Sequence, residues 1–308
     1  MRTIRTSLAS PSVLHDLADP FLDNEFMQRA LLAGVLVSIA CAVVGTYVVL
    51  RGLAFIGDAL AHGVLPGVAG ALLLGAPGIV GAAVGAVAMI GGVTVITAKS
   101  RLSSDTAIGL LFVGLLALGV VMVSGTKSFT GDLVRILFGE LLGISRHDLL
   151  VQAIATLVVV LVGLAFARPF LLLCFDPDLA QVMGFHARRS HIVMLLLIAA
   201  TVIVSFQTVG TLLVFGMLLA PAGVGALLAR RVGIMMLWAG STGVLATYLG
   251  LLASYHFGYA AGASVVLCAV LLFFLTFTVT TVRDGMDRRR HETHDGDGAG
   301  THAHGAHA

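Results

Sequence analysis

Residues 30–50 read ALLAGVLVSIACAVVGTYVVL, without a single Asp, Glu, Lys, Arg or His. A helix needs about 20 such residues to cross the hydrocarbon core of a bilayer. Comparable runs recur at about 53–74, 76–98, 107–123, 149–167, 191–206, 208–229, 233–253 and 257–282. Together they predict an all-α polytopic membrane protein with about nine transmembrane helices. The runs at 191–206 and 208–229 form one long stretch broken near Ser205 to Thr208, so eight is the alternative count.

Composition agrees. Of the 308 residues, 58% are hydrophobic and only 11% are charged, and the mean hydropathy is +1.03. These values exclude a globular enzyme. A net charge of +2 gives no reason to expect a nucleic-acid partner. Cys41, Cys174 and Cys268 are widely spaced, so neither a disulfide framework nor a thiolate zinc site is signalled. Residues 1–29 carry Arg2 and Arg5, then Asp16, Asp19, Asp23 and Glu25, with no apolar leader among them. We read them as a polar tail, 30–282 as the membrane domain and 283–308 as a separate tail.

Basic residues orient the bundle. Alternate counting puts Arg51, Lys99, Arg101, Arg168, Arg188, Arg189, Arg230, Arg231, Arg283, Arg288, Arg289 and Arg290 on one side. Arg2, Arg5, Arg29, Lys127, Arg135 and Arg146 fall on the other. The richer side is expected to be cytoplasmic, which puts the N-terminus outside and the C-terminus inside. Small-residue ridges at Gly63 and Gly67, Gly81 and Gly85, and Gly258 and Gly262 predict closely packed helices.

Asp58 and His62 are the ionisable residues set well inside an expected span. A carboxylate there costs about 2.5–3.5 kcal/mol on insertion scales, so such residues usually have a use. Positions i and i+4 share one helix face, where a carboxylate oxygen and an imidazole nitrogen can reach one ion. This donor pair suits a first-row divalent cation, with further ligands supplied by a second copy, water or other side chains. Two other readings stay open: the pair pins a helix contact, or it relays protons. Pro66, one turn on, lacks a backbone donor and bends the helix beside the pair.

The segment VVLRGLAFIGDALAHGVLPGVA at 48–69 resembles the signature early segment of bacterial ABC-transporter permeases for zinc and manganese. Three more segments resemble that family in the same order: LFGELLGIS at 137–145, FDPDLAQVMGF at 175–185 and VGTLLVFGMLLAPAGVGALLAR at 209–230. One departure is Ala260, where the family often has proline. The resemblance implies a permease homodimer in the bacterial plasma membrane, driven by a cytoplasmic ATPase dimer and fed by an extracytoplasmic metal-binding protein. It places Asp58 and His62 on the metal path. It also makes Asp176, Pro177, Leu179, Val182, Met183 and Gly184 the segment that meets the ATPase. Those residues read by themselves as a short helix: Asp176 caps, Pro177 suits the first turn, Leu179, Val182 and Met183 share a face, and Gly184 ends it. On the outer side, 132–144 has helical spacing at Leu133, Ile136, Leu137 and Leu141.

No Walker A motif occurs, so ATP hydrolysis is expected from a partner, and the chain itself is not an enzyme. No permanently bound cofactor is expected. The chain closes on HETHDGDGAGTHAHGAHA at 291–308, a composition that builds no core. Its His291, His294, His302, His304 and His307 can bind zinc well and manganese poorly. This tail turns the expected cargo toward zinc, with manganese or iron carried by the same kind of permease, or a proton-coupled metal carrier, as alternatives.

Overall fold

The computed structural model describes Phe21 and residues 24–124, 143–175 and 187–299. Among the described residues the regular elements are helices and no strand occurs. They are α1 (Glu25–Leu50), α2 (Ala54–Gly63), α3 (Leu65–Leu73), α4 (Gly78–Lys99), α5 (Ser104–Ser124) and α6 (Arg146–Ala165). Then follow α7 (Ala167–Phe175), α8 (Ala187–Val209), α9 (Thr211–Leu228), α10 (Val232–Phe257) and α11 (Ala261–Ala299).

Eight segments are long and apolar enough to cross a membrane, with α2 and α3 together making one of them. The expected ninth, α9, holds a shorter apolar stretch, Leu213–Leu228. The long run at 191–229 divides at Gly210, not at Ser205 to Thr208. Gly210 has φ 81° and ψ 162°, a backbone conformation open essentially to glycine alone.

α1 is the hub. It packs on α6, α8, α9 and α10, while α11 lies against α9 and α10. The second group, α2 to α5, joins the hub chiefly through α8, which touches α1, α2, α4, α6, α7 and α9. The small-residue ridges of α3 and α4 face each other. A Cβ added to Gly67 would stand 2.1 Å from the Gly81 carbonyl oxygen, and one on Gly85 would stand 3.0 Å from the Val64 Cα. The absence of side chains is what lets these backbones meet. Gly258 does not belong to such a ridge. It ends α10 in the left-handed region at φ 69°.

Polar side chains tie the hub across helices. The Tyr47 hydroxyl donates to the Gly163 carbonyl at 3.1 Å. Gln152 of α6, fully enclosed, donates to the Ser205 hydroxyl of α8 at 3.3 Å, and Thr156 donates to the Leu36 carbonyl of α1 at 3.3 Å. Interhelical bonds of this kind are worth about 0.6–2 kcal/mol in a membrane. At one end, Glu25 of α1 accepts from both Arg29 and Arg146, the latter at 2.6 Å, and Ser145 and Asp148 form a capping box that starts α6.

Leu267, Leu271, Phe274, Leu275, Val279 and Val282 leave an apolar face of α11 exposed. In lipid that face meets a solvent as apolar as itself. The backbone from 283 to 299 continues α11, where composition led us to expect no regular structure. A helix already nucleated in the preceding span extends at the cost of only one residue's freedom per added bond, and Arg288, Arg289, Arg290 and Glu292 are good helix formers.

Candidate functional site

α2 is placed by its entrance. α1 closes in a Schellman turn: the Gly52 N–H donates to the Val49 carbonyl at 3.1 Å, and the Leu53 N–H donates to the Val48 carbonyl at 3.0 Å. Gly52 supplies the φ of 66° that this turn requires. Leu53, buried, ends that turn and also caps α2, so only three residues separate the two helices. At its far end α2 breaks at Val64, and Pro66 sits in the first turn of α3. The backbone of α5 leaves room for the proline at Gly119, where an added Cβ would lie 3.3 Å from the Pro66 Cδ. The bend expected from Pro66 is therefore a division of the span into two short helices.

On this short helix Asp58 and His62 share a face, with Asp58 Oδ1 3.4 Å from His62 Nε2. That separation exceeds the 2.7–3.2 Å of a good N–H···O bond, so the two groups do not consume each other's bonding capacity. Two donors 3.4 Å apart can both touch one ion at a bond length of about 2.1 Å. Both side chains are partly enclosed, His62 at 20% exposure and Asp58 at 33%. The imidazole meets Phe112 of α5 edge to face, with centroids 5.6 Å apart. Its Nδ1 is buried and has no hydrogen-bond partner among the described residues. Next to the acid, Gly57 lets α9 come close: an added Cβ would lie 2.6 Å from Leu218 Cδ2. Among the described residues no group of three or more His, Cys, Asp or Glu gathers as a ready metal cage.

A second polar constellation went unnoticed in the sequence. Arg51, in the corner between α1 and α2, donates from Nη1 to His191 Nδ1 near the start of α8 at 3.0 Å. Cys174 of α7 lies near enough to act electrostatically on Arg51 and Tyr47. Burial pulls the Arg51 guanidinium below its ordinary pKa, and burial pushes the Cys174 thiol up against the opposing pull of Arg51. With Arg51 and His191 140 positions apart, nothing in the linear pattern announces the contact.

The other expected site residues are not brought to this place. Asp176, Pro177, Leu179, Val182, Met183 and Gly184 lie outside the described residues, as does 132–142 of the outer segment. Ile144, at the end of that segment, is buried. His291 and His294 fall on the backbone of α11, and His302, His304 and His307 lie outside the described residues.

Comparison with known proteins agrees with this architecture. The family described as "ABC 3 transport family" matches residues 23–280. The chain is 39% identical over 259 residues to the manganese transport system membrane protein MntC of Halalkalibacterium halodurans, covering 84% of this chain and 89% of the relative. It is 34% identical over 273 residues to the chelated iron transport system membrane protein YfeD of Yersinia pestis, covering 89% and 91%. Among solved structures, PsaBC from Streptococcus pneumoniae in complex with Fab superposes with a TM-score of 0.76 at 33% identity, over 86% of this chain and 95% of that one. With its apolar helices, its acid–histidine pair and this match over nearly the whole membrane domain, the chain belongs to the ABC 3 transport family, as the multi-pass permease subunit of a bacterial metal-uptake ABC transporter of the plasma membrane.

Proposed function

We propose that the cargo is a manganous or ferrous ion and that Asp58 and His62 are its ligands on the way through the membrane. The observation that carries this reading is the 3.4 Å gap between an oxygen and a nitrogen donor on one face of α2. A hard carboxylate beside an imidazole, with no thiolate at hand, suits manganese and iron. The names of the manganese and iron relatives support the same choice. Zinc, expected from the histidine tail, is the weaker reading. The tail speaks of metal already delivered, whereas selection is made by the ligands along the path. We keep His291, His294, His302, His304 and His307 as a cytoplasmic metal buffer separate from that path.

A dication in a low-dielectric passage needs compensating charge, and an ionised Asp58 supplies one unit. To ligate through Nε2, His62 must carry its proton on Nδ1. A metal-bound imidazole usually donates that second N–H to an acceptor, and losing such a partner weakens metal affinity about 10–100-fold. His62 Nδ1 has no such acceptor among the described residues. The pair therefore favours passage over retention. A second copy of the chain supplies an equivalent pair, an ATPase dimer bound on the cytoplasmic side drives the cycle, and an extracytoplasmic binding protein delivers the ion.

The test is uptake of radioactive manganese by cells relying on this permease and its partners, with competing cations added. Unlabelled manganese or ferrous iron should suppress the signal at concentrations where zinc does not. Equal or stronger suppression by zinc, together with zinc accumulation, would overturn the choice of cargo.

A further inference from the structure

We infer that Arg51 and His191 form a positioning contact that sets where α2 stands, and that the contact opens when His191 takes up a second proton. The inference rests on the proposed function, since the stance of α2 matters to transport only if that helix carries the ligands.

The geometry is specific about roles. A guanidinium has donors and no acceptor, so in the 3.0 Å contact Arg51 Nη1 donates and His191 Nδ1 accepts. The ring must then be the neutral tautomer with its proton on Nε2. A proton on Nδ1 removes the acceptor and sets an imidazolium against a guanidinium. Among the described residues Arg51 is the charged group acting on the His191 ring. Cys174 from α7 acts on Arg51, as it does on Tyr47 of α1, and brings no charge while protonated. Arg189, on α8 itself, is exposed.

Place gives the contact its consequence. Arg51 is the first residue of the three-residue corner from which α2 departs. His191 stands near the start of α8, the helix that packs on both α1 and α2. One side-chain bond thus ties the corner to the helix lying against α2. From Arg51 to Asp58 the chain runs through a Schellman turn and the first turn of α2, with no flexible linker between them. A shift at the corner is passed on to the acid–histidine pair as movement of a short rigid helix. Arg51 and His191 are positioning residues: neither touches the ion.

Two substitutions separate a proton-sensitive contact from simple packing. His191→Gln keeps an uncharged acceptor for the guanidinium and does not titrate. His191→Leu keeps bulk and loses the acceptor. The first readout needs no transport: melting of the purified permease in nanodiscs between pH about 7.5 and about 4, a range wide enough to protonate a ring held beside a guanidinium. Because the contact needs a neutral ring with a free acceptor, stability from it is present at the upper end of that range and is lost as pH falls. The wild type should therefore melt lower on acidification, His191→Gln should fall less, and His191→Leu should start low and lack that part of the fall. The second readout is metal uptake in cells. His191→Gln should work near the wild-type rate at neutral pH and keep more of it in acid. His191→Leu should lose about tenfold throughout, the factor carried by a hydrogen bond to a charged group.

Parallel melting profiles in all three proteins, or wild-type uptake and pH profile in His191→Leu, would overturn the inference. If the wild type carried no metal while the melting profiles diverged as described, the proposed function would fall and the proton-sensitive contact would stand.

Discussion

Asp58 and His62 sit four residues apart, one helical turn, and the structure keeps them 3.4 Å from each other. A pair built only to lock two helices together would be expected at hydrogen-bond distance, with the remaining ring nitrogen satisfied. Here the distance is long and His62 Nδ1 is left without a partner among the described residues. Replacing either side chain by alanine should reduce metal uptake to background while the permease still assembles. Without the carboxylate the ion meets a neutral passage, at a cost of several kcal/mol. Uptake assays beside size-exclusion chromatography of the variants decide this. Near-normal uptake in Asp58→Ala would remove the pair from the path. Both residues were legible in the sequence because charge inside an apolar run is costly and so stands out. The Arg51–His191 contact was not, because each residue lies near a helix end, where a basic or titratable group is unremarkable.

Helices here are short where the chain must turn and smooth where it must approach. α2 and α3 divide one span at Val64, and Gly67 and Gly81 bring α3 and α4 into backbone contact. Gly67→Val should therefore separate α3 from α4 and destabilise the protein by about 1–3 kcal/mol or more, the usual cost of overpacking. A lowered melting temperature in detergent would register it, and an unchanged one would show that the seam can open without cost. The ridges themselves were readable as G-x-x-x-G spacings, but which ridge met which was not. The third spacing proved misleading: Gly258 is a helix stop, chosen for its left-handed backbone and not for packing. α7 also escaped the sequence reading. Its apolar Phe170 and Leu173 are buried against the bundle, and a run of nine residues is too short to register as a span.

For the whole chain, the asymmetry of Lys and Arg predicts a cytoplasmic location for the end that holds Arg51, Lys99, Arg101 and Arg230. A cysteine placed at Ser100, between α4 and α5, should react with a membrane-impermeant thiol reagent only in inside-out vesicles. One placed at Pro77, before α4, should react in intact cells once the outer barrier is opened. The reverse pattern would invert the orientation and put the histidine tail outside. The same overall view explains the exposed apolar face of α11, which would be a liability in water and is ordinary in lipid.

Burial in a bilayer is an average property of a segment, so hydropathy alone was enough to mark out the spans, exclude a soluble fold and expose the two ionisable residues among them. Pairing is a property of surfaces. The hub role of α1, the meeting of the glycine ridges, the break at Gly210 and the bond from Arg51 to His191 depend on which faces come together. Those faces are chosen by close packing and by a few hydrogen bonds between residues far apart in the chain, and no local pattern records them.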